Sequence, residues 1–118
     1  MNGLVNAKDS EKNKSVETWG TLSWVANQTL SGSSVTVGRL ILHPGLSDAS
    51  HSHSNADEVV FLVRGSACVQ LGGREVNLLP GDALTIPLRL VHRISNTGKV
   101  EAEMTLCYSS GSRKYTAE

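Results

Sequence analysis

Beyond about residue 16 the chain breaks into short runs rich in Val, Ile, Leu and Thr, recurring every 8 to 12 residues or so and separated by clusters of Gly, Pro, Asn and Ser. That rhythm predicts an all-β sandwich or barrel, and no segment shows a convincing helical period. The strand-like runs are residues 21–26, 34–42, 49–53, 58–65, 66–73, 74–80, 82–87, 92–98 and 100–110. Gly72-Gly73 is a two-residue hairpin signal, Leu79-Pro80-Gly81-Asp82 a turn with Pro in second place, and Asn96-Thr97-Gly98-Lys99 a further hairpin signal. Mostly antiparallel pairing follows. Residues 1–16 are polar and without period, so they are expected to be a flexible N-terminal tail ahead of a barrel domain over residues 17–118.

One run departs from alternation. Val59, Val60, Phe61, Leu62 and Val63 are apolar on both faces of any strand they form, and such a strand must be covered twice. In a single barrel the chain covers only the inner face. The outer face therefore calls for either the N-terminal segment carrying Trp19 and Trp24 or a second copy of the chain, and a homodimer is the expectation, because two-fold dimers are the commonest oligomers.

At 118 residues the chain is expected to hold one core. Eleven basic residues balance eleven acidic ones, which leaves no electrostatic footprint for nucleic acid or an anionic membrane surface, so a small-molecule partner is expected. No stretch approaches the roughly 20 apolar residues of a membrane span, and the first fifteen residues lack the apolar middle of a signal peptide. A cytoplasmic protein is the expectation. Cys68 and Cys107 sit in separate apolar runs, where inert packing is the expected role.

Three of the four histidines fall between residues 43 and 53. On a strand side chains repeat every two residues, so His51 and His53 share one face. After the turn-like Ser54-Asn55-Ala56-Asp57, Glu58 opens the next strand and can return a carboxylate toward that face. Imidazole and carboxylate suit divalent ions such as Mn, Fe, Ni, Co, Cu or Zn, and the lack of a nearby thiolate argues against a closed structural zinc site. Two alternate histidines also arise as ordinary partly buried residues, so spacing alone leaves both readings open.

Taken together the motifs carry a resemblance. Gly45, five residues, His51-Ser52-His53, four residues, Glu58, six residues and Gly65 resemble the first signature of the cupin superfamily. Gly81, five residues, Pro87, then His92, three residues and Asn96 resemble the second, with the short spacing of small single-domain bacterial members. The resemblance implies a jelly-roll β-barrel with a divalent transition metal inside, held by His51, His53, Glu58 and His92. The sequence departs from the pattern at Arg89, where the family usually has Gly. Either that turn differs, or it holds an arginine at positive φ. A variant turn with a solvated arginine is the expectation, the alternative being an arginine at the barrel mouth that holds a substrate carboxylate or phosphate.

Other polar residues carry weaker signals. His43 is expected at a strand end or loop, and Asn96 in an architectural role in the turn before Gly98. Arg39, Gln70, Thr85 and Thr105 lie in strand runs whose parity a single bulge would reverse, so pocket wall and outer surface stay open. Packing is the expected role of Tyr108 and Trp24. The functional expectation is a metal-dependent enzyme acting on a small oxygenated molecule by dioxygenase, isomerase, lyase or decarboxylase chemistry. No residue stands out as a general base, so catalytic residues are unassigned. The alternative is a non-catalytic module binding a sugar or organic acid.

Overall fold

The computed structural model describes residues 3–118. In chain order the elements are α1 (Ala7–Lys12), β1 (Lys14–Glu17), β2 (Gly20–Ala26), α2 (Gln28–Ser31), β3 (Thr36–Leu42), β4 (His51–Ser52), β5 (Glu58–Arg64), β6 (Ala67–Leu71), β7 (Arg74–Leu78), β8 (Ala83–Ile86), β9 (His92–Asn96), β10 (Ala102–Tyr108) and β11 (Thr116–Ala117). They form a six-stranded sheet of order β1-β2-β3-β10-β5-β8 and a five-stranded sheet of order β11-β4-β9-β6-β7. All strand pairings among the described residues are antiparallel. The two sheets do not close into one continuous barrel; they make a jelly roll, the architecture expected from the sequence.

The core lies between them. Leu40, Leu42, Val60 and Leu62 from one sheet meet Val69, Leu71, Leu78 and Ile94 from the other, each buried, with Met104 and Leu106 of β10 between. Burial alternates strictly along β3 and β10, which is how period-two sequence becomes an inner and an outer face.

One local expectation is corrected. Residues 96–99 do not form a hairpin, because β9 and β10 belong to opposite sheets. Both edges of β9 are already taken by β4 and β6, and both edges of β10 by β3 and β5, so the connecting segment must cross between sheets. Asn96 holds that corner: its amide donates to the carbonyls of Leu42 and Val100, and its side-chain oxygen accepts from Gly98 N–H, which is the architectural role expected of it. The segment read as a tail contains α1 and β1, and the helix is set by a capping box in which Asn6 accepts from Asp9 N–H and Asp9 accepts from Asn6 N–H. Six residues span fewer than two turns, too few for a period to show.

Residues 59–63 behave as one strand with a single buried face. Val60 and Leu62 are fully buried, whereas Phe61 and Val63 are 41 % and 43 % exposed on the outer side. The N-terminal pair β1–β2 extends the sheet beyond β3 and does not lie across β5, so the chain leaves that outer face open.

Candidate metal centre

Four side chains converge at one end of the space between the sheets. His51 of β4 and His92 of β9 are directly opposite each other in register, and Glu58 of β5 reaches them from the facing sheet. His53 follows β4 on the same side as His51, with ring centroids 4.9 Å apart. All four are buried, and their ligand atoms lie within 4.8 Å of one another. Those atoms come from both motifs and from both sheets.

The tautomers are fixed by backbone carbonyls. His51 Nδ1 is 2.6 Å from Ala49 O, His53 Nδ1 2.8 Å from Lys114 O, and His92 Nδ1 2.9 Å from Leu90 O. A carbonyl oxygen only accepts, so each Nδ1 carries a proton and each Nε2 is the ring atom turned inward. Glu58 Oε1 is 2.9 Å from His92 Nε2 and 3.4 Å from His53 Nε2, yet none of these three buried atoms has a hydrogen-bond partner. Buried polar atoms without partners are costly, and a shared cation at the point they face would satisfy all of them. Two ligand atoms about 2.1 Å from one ion and at right angles to each other are separated by roughly 3 Å, so the observed spacings fit a transition-metal ion. Oxygen and imidazole donors without thiolate suit Mn, Fe, Co, Ni, Cu or Zn.

The electrostatics agree. Burial lowers the pKa of His51 to about 4, keeping it neutral. Burial pushes Glu58 upward, but the imidazoles of His53 and His92 outweigh it and hold the carboxyl at about 2. His92 is pushed down by burial and raised above its ordinary value by Glu58. Tyr108 donates its hydroxyl hydrogen to Glu58 Oε2, and burial first, then the Glu58 charge, raise its pKa well above the ordinary phenol range.

A cavity of about 360 Å³ opens beside His51 and Glu58 of this cluster. Trp19, Trp24, Leu22, Leu40 and Leu106 give it apolar walls, and His51, Glu58, Asp48, Tyr108, Arg113 and Tyr115 bring polar groups. Trp24 and Tyr108 therefore do more than pack. Trp24 has room because residue 38 is glycine, where a Cβ would sit 2.8 Å from the indole.

Several residues left open by the sequence are placed outside the cavity. Arg39, Gln70, Thr85 and Thr105 all lie on outer faces, Arg39 paired with Glu103 through two contacts of 2.9 and 3.3 Å. His43 is exposed and meets Glu101 at 3.1 Å. Cys68 is buried and Cys107 half-buried, both as free thiols. Arg89 overturns the expectation of a variant turn. It has φ +66°, the one positive-φ residue other than glycine among those described, and its N–H donates to His53 O at 2.7 Å. The turn keeps the conformation glycine would adopt, and that N–H ties it to His53 just after β4. The arginine side chain is solvated as expected.

Neither Asp48 nor the segment from 112 to 115 carries a sequence signal. Residues 46–48 run on as an extension of β4, with backbone bonds from Asp48 N–H to Ile94 O and from Asn96 N–H to Leu46 O. Asp48 Oδ1 accepts Ile94 N–H at 2.8 Å, and burial raises this carboxyl to about 7. It stands three positions before His51, an odd offset that under strict alternation would place the two on opposite faces; the irregular backbone between them brings both to the cavity. Near the C-terminus, Asn55 grips residues 112 and 114 through Ser112 O and Lys114 N–H, and Lys114 O in turn orients His53. No motif precedes this contact, which is 61 residues long in sequence.

Comparison with known proteins agrees with this geometry. Residues 38–108 match the Cupin domain family. Tetracenomycin polyketide synthase protein TcmJ of Streptomyces glaucescens is 32% identical over 84 residues, covering 71% of this chain and 56% of that protein. The chain thus spans about half the length of the curated relatives it matches. Among solved structures, an oxalate decarboxylase superposes with a TM-score of 0.84 at 18% identity, over 91% of this chain and 30% of that one. An uncharacterised protein with a double-stranded β-helix domain from Klebsiella pneumoniae subsp. pneumoniae gives 0.72 at 23% identity, over 81% and 82%. With both signature motifs folded around one cluster of three histidines and a glutamate, the chain belongs to the cupin family.

Proposed function

We propose that this chain is a metal-dependent cupin enzyme acting on a small oxygenated organic molecule. The observation that carries the reading is the trio of Nδ1 atoms committed to backbone carbonyls, which turns the three Nε2 atoms toward Glu58 Oε1 in one group within 4.8 Å. A bound divalent ion would supply Lewis-acid or redox chemistry there, with positions left for substrate. The chain's own residues do the rest. Tyr108 orients Glu58, the indoles of Trp19 and Trp24 exclude water from one wall, and Asp48 offers a carboxyl that is half-ionised near neutral pH. A group with that pKa can take or return a proton at its free oxygen, which supplies the acid or base that the sequence lacked and favours an enzyme over a binding module.

Elemental analysis of protein purified without added metal tests the centre, with about one ion per chain expected and loss of the ion in H51A. Turnover of diketones, catechols and organic acids, followed with and without oxygen uptake, then separates dioxygenase from isomerase, lyase or decarboxylase chemistry. Stoichiometric metal with no turnover in any of these would favour the binding module.

A homodimer is proposed with it. The outer face of the six-stranded sheet exposes Phe61 and Val63 beside the Arg39–Glu103–Arg64 ion pairs, and its alternating charges can match themselves across a two-fold axis. The cytoplasm stays the proposed location.

A further inference from the structure

We propose that the cavity selects an organic monocarboxylate with a flat or apolar body, and that Arg113 is the residue that reads its carboxylate. The orientation of the ligand rests on the metal reading above, whereas the anion site itself does not. Arg113 holds its guanidinium carbon 4.5 Å from the ring centre of Trp24, 5.1 Å from Tyr108 and 5.8 Å from Tyr115. It is half-buried and lines the same cavity as Glu58 and His51. Arg39 and Arg64 each pair with a carboxylate, but among the described residues no carboxylate oxygen comes within 4.0 Å of Arg113. The aromatic rings compensate the charge and leave its hydrogen-bonding edge free for a ligand.

The position of this arginine is fixed on both sides. Ser112 O accepts from Asn55, Lys114 N–H donates to Asn55 Oδ1 at 2.8 Å, and Lys114 O accepts from His53 Nδ1. The anion site and a metal ligand therefore share one stretch of backbone, and the distance between the two ends of a bound molecule is set by the fold. Small-molecule sites run from roughly 300 to 1,000 Å³. The cavity, at about 360 Å³, is at the small end of that range, with apolar walls from Trp19, Trp24, Leu22, Leu40 and Leu106. Those walls call for an apolar body. The carboxylates of Glu17, Asp48 and Glu58 also line the space, so a second negative charge on the ligand is repelled and a carboxylate is favoured over a phosphate.

The test uses isothermal titration calorimetry on the full chain loaded with zinc(II) and again after the metal is stripped. The probes are phenylglyoxylate, its neutral amide, and phenyl phosphate. The parent protein is expected to bind the acid about tenfold or more tightly than the amide, as charge-assisted hydrogen bonds are lost in the amide. In R113Q that preference disappears while amide binding stays within about twofold, and R113K recovers part of the preference. Stripping the metal weakens both probes and preserves their ratio, so a failed metal centre and a failed anion site give different results. Equal loss of acid and amide in R113Q would mean that Arg113 only packs, and would overturn the proposal. Equal binding of both probes by the parent, no heat from the acid at millimolar concentration, or Arg113-dependent binding of phenyl phosphate tighter than of phenylglyoxylate would overturn it too.

Discussion

The Tyr108 hydroxyl lies 3.2 Å from Glu58 Oε2, while Oε1 of the same carboxylate faces His53 and His92. Directly opposite in register on β10 and β5, the two residues divide the carboxylate's work between an orienting bond and a ligand position. Partners that orient metal ligands in this way typically carry about 10- to 100-fold of the metal affinity. Y108F is accordingly expected to weaken zinc(II) binding by about tenfold with the secondary structure unchanged, as measured by competition with a chromophoric chelator. E58Q should weaken it further; equal affinities in Y108F and the parent would show that the hydroxyl does not orient the ligand.

Metal binding should release protons, and the histidines should not contribute equally. His51 is held at about 4 by burial and is neutral before the ion arrives, whereas His92 is raised by Glu58 and gives up its proton to bind. Affinity therefore falls as pH drops below the raised pKa of His92. Titration of metal into weakly buffered protein is expected to release protons, and H92A should release fewer.

Asp48 gives a stability signature of the opposite kind to a salt-bridged carboxylate. Its folded pKa, about 7, lies above the ordinary 3.8, so the folded state holds the proton more tightly than the unfolded chain does. Stability from this group is full at low pH and drains away as pH rises from about 4 to 7, then stays level. D48N keeps the oxygen that accepts Ile94 N–H and removes the ionisation. In metal-free protein its melting temperature should match the parent near pH 4 and exceed it at pH 8.

Arg89 at φ +66° carries backbone strain that a glycine would not. A left-handed conformation costs a residue with a Cβ roughly 1–2 kcal/mol, partly offset in glycine by about 0.5–1 kcal/mol of extra unfolded-state freedom. R89G is expected to raise stability by up to about 1 kcal/mol in urea unfolding, where glycine usually lowers it. A loss of stability would mean that the arginine side chain contributes more than its exposure suggests.

If a second copy covers the outer face of β5, a charge at its centre should separate the pair. F61E places a carboxylate where Phe61 is 41 % exposed, leaving the buried face of the strand untouched. Light scattering after size-exclusion chromatography should find a dimer for the parent and a monomer for F61E with its metal content intact. A parent monomer would leave the apolar face to another partner.

Features that depend on local spacing are readable from the chain alone. Alternating apolar residues separated by Gly, Pro and Asn turns specify strands, and so the runs read at 34–42, 58–65 and 100–110 contain β3, β5 and β10 to within two residues at each end. The four clustered side chains were legible too as a candidate ligand set, because His51 and His53 share a face by simple alternation and both signature spacings stand intact in the chain. Sheet membership was not, because a turn such as 96–99 reads the same whether its strands pair or part; only competition for strand edges decides. Nor were Asp48, Arg113 and Lys114, whose roles come from contacts made across the fold after an irregular backbone breaks the period. Periodicity records which face a residue takes within its own element, but what that face meets is settled when the sheets pack, and the cavity belongs to that second step.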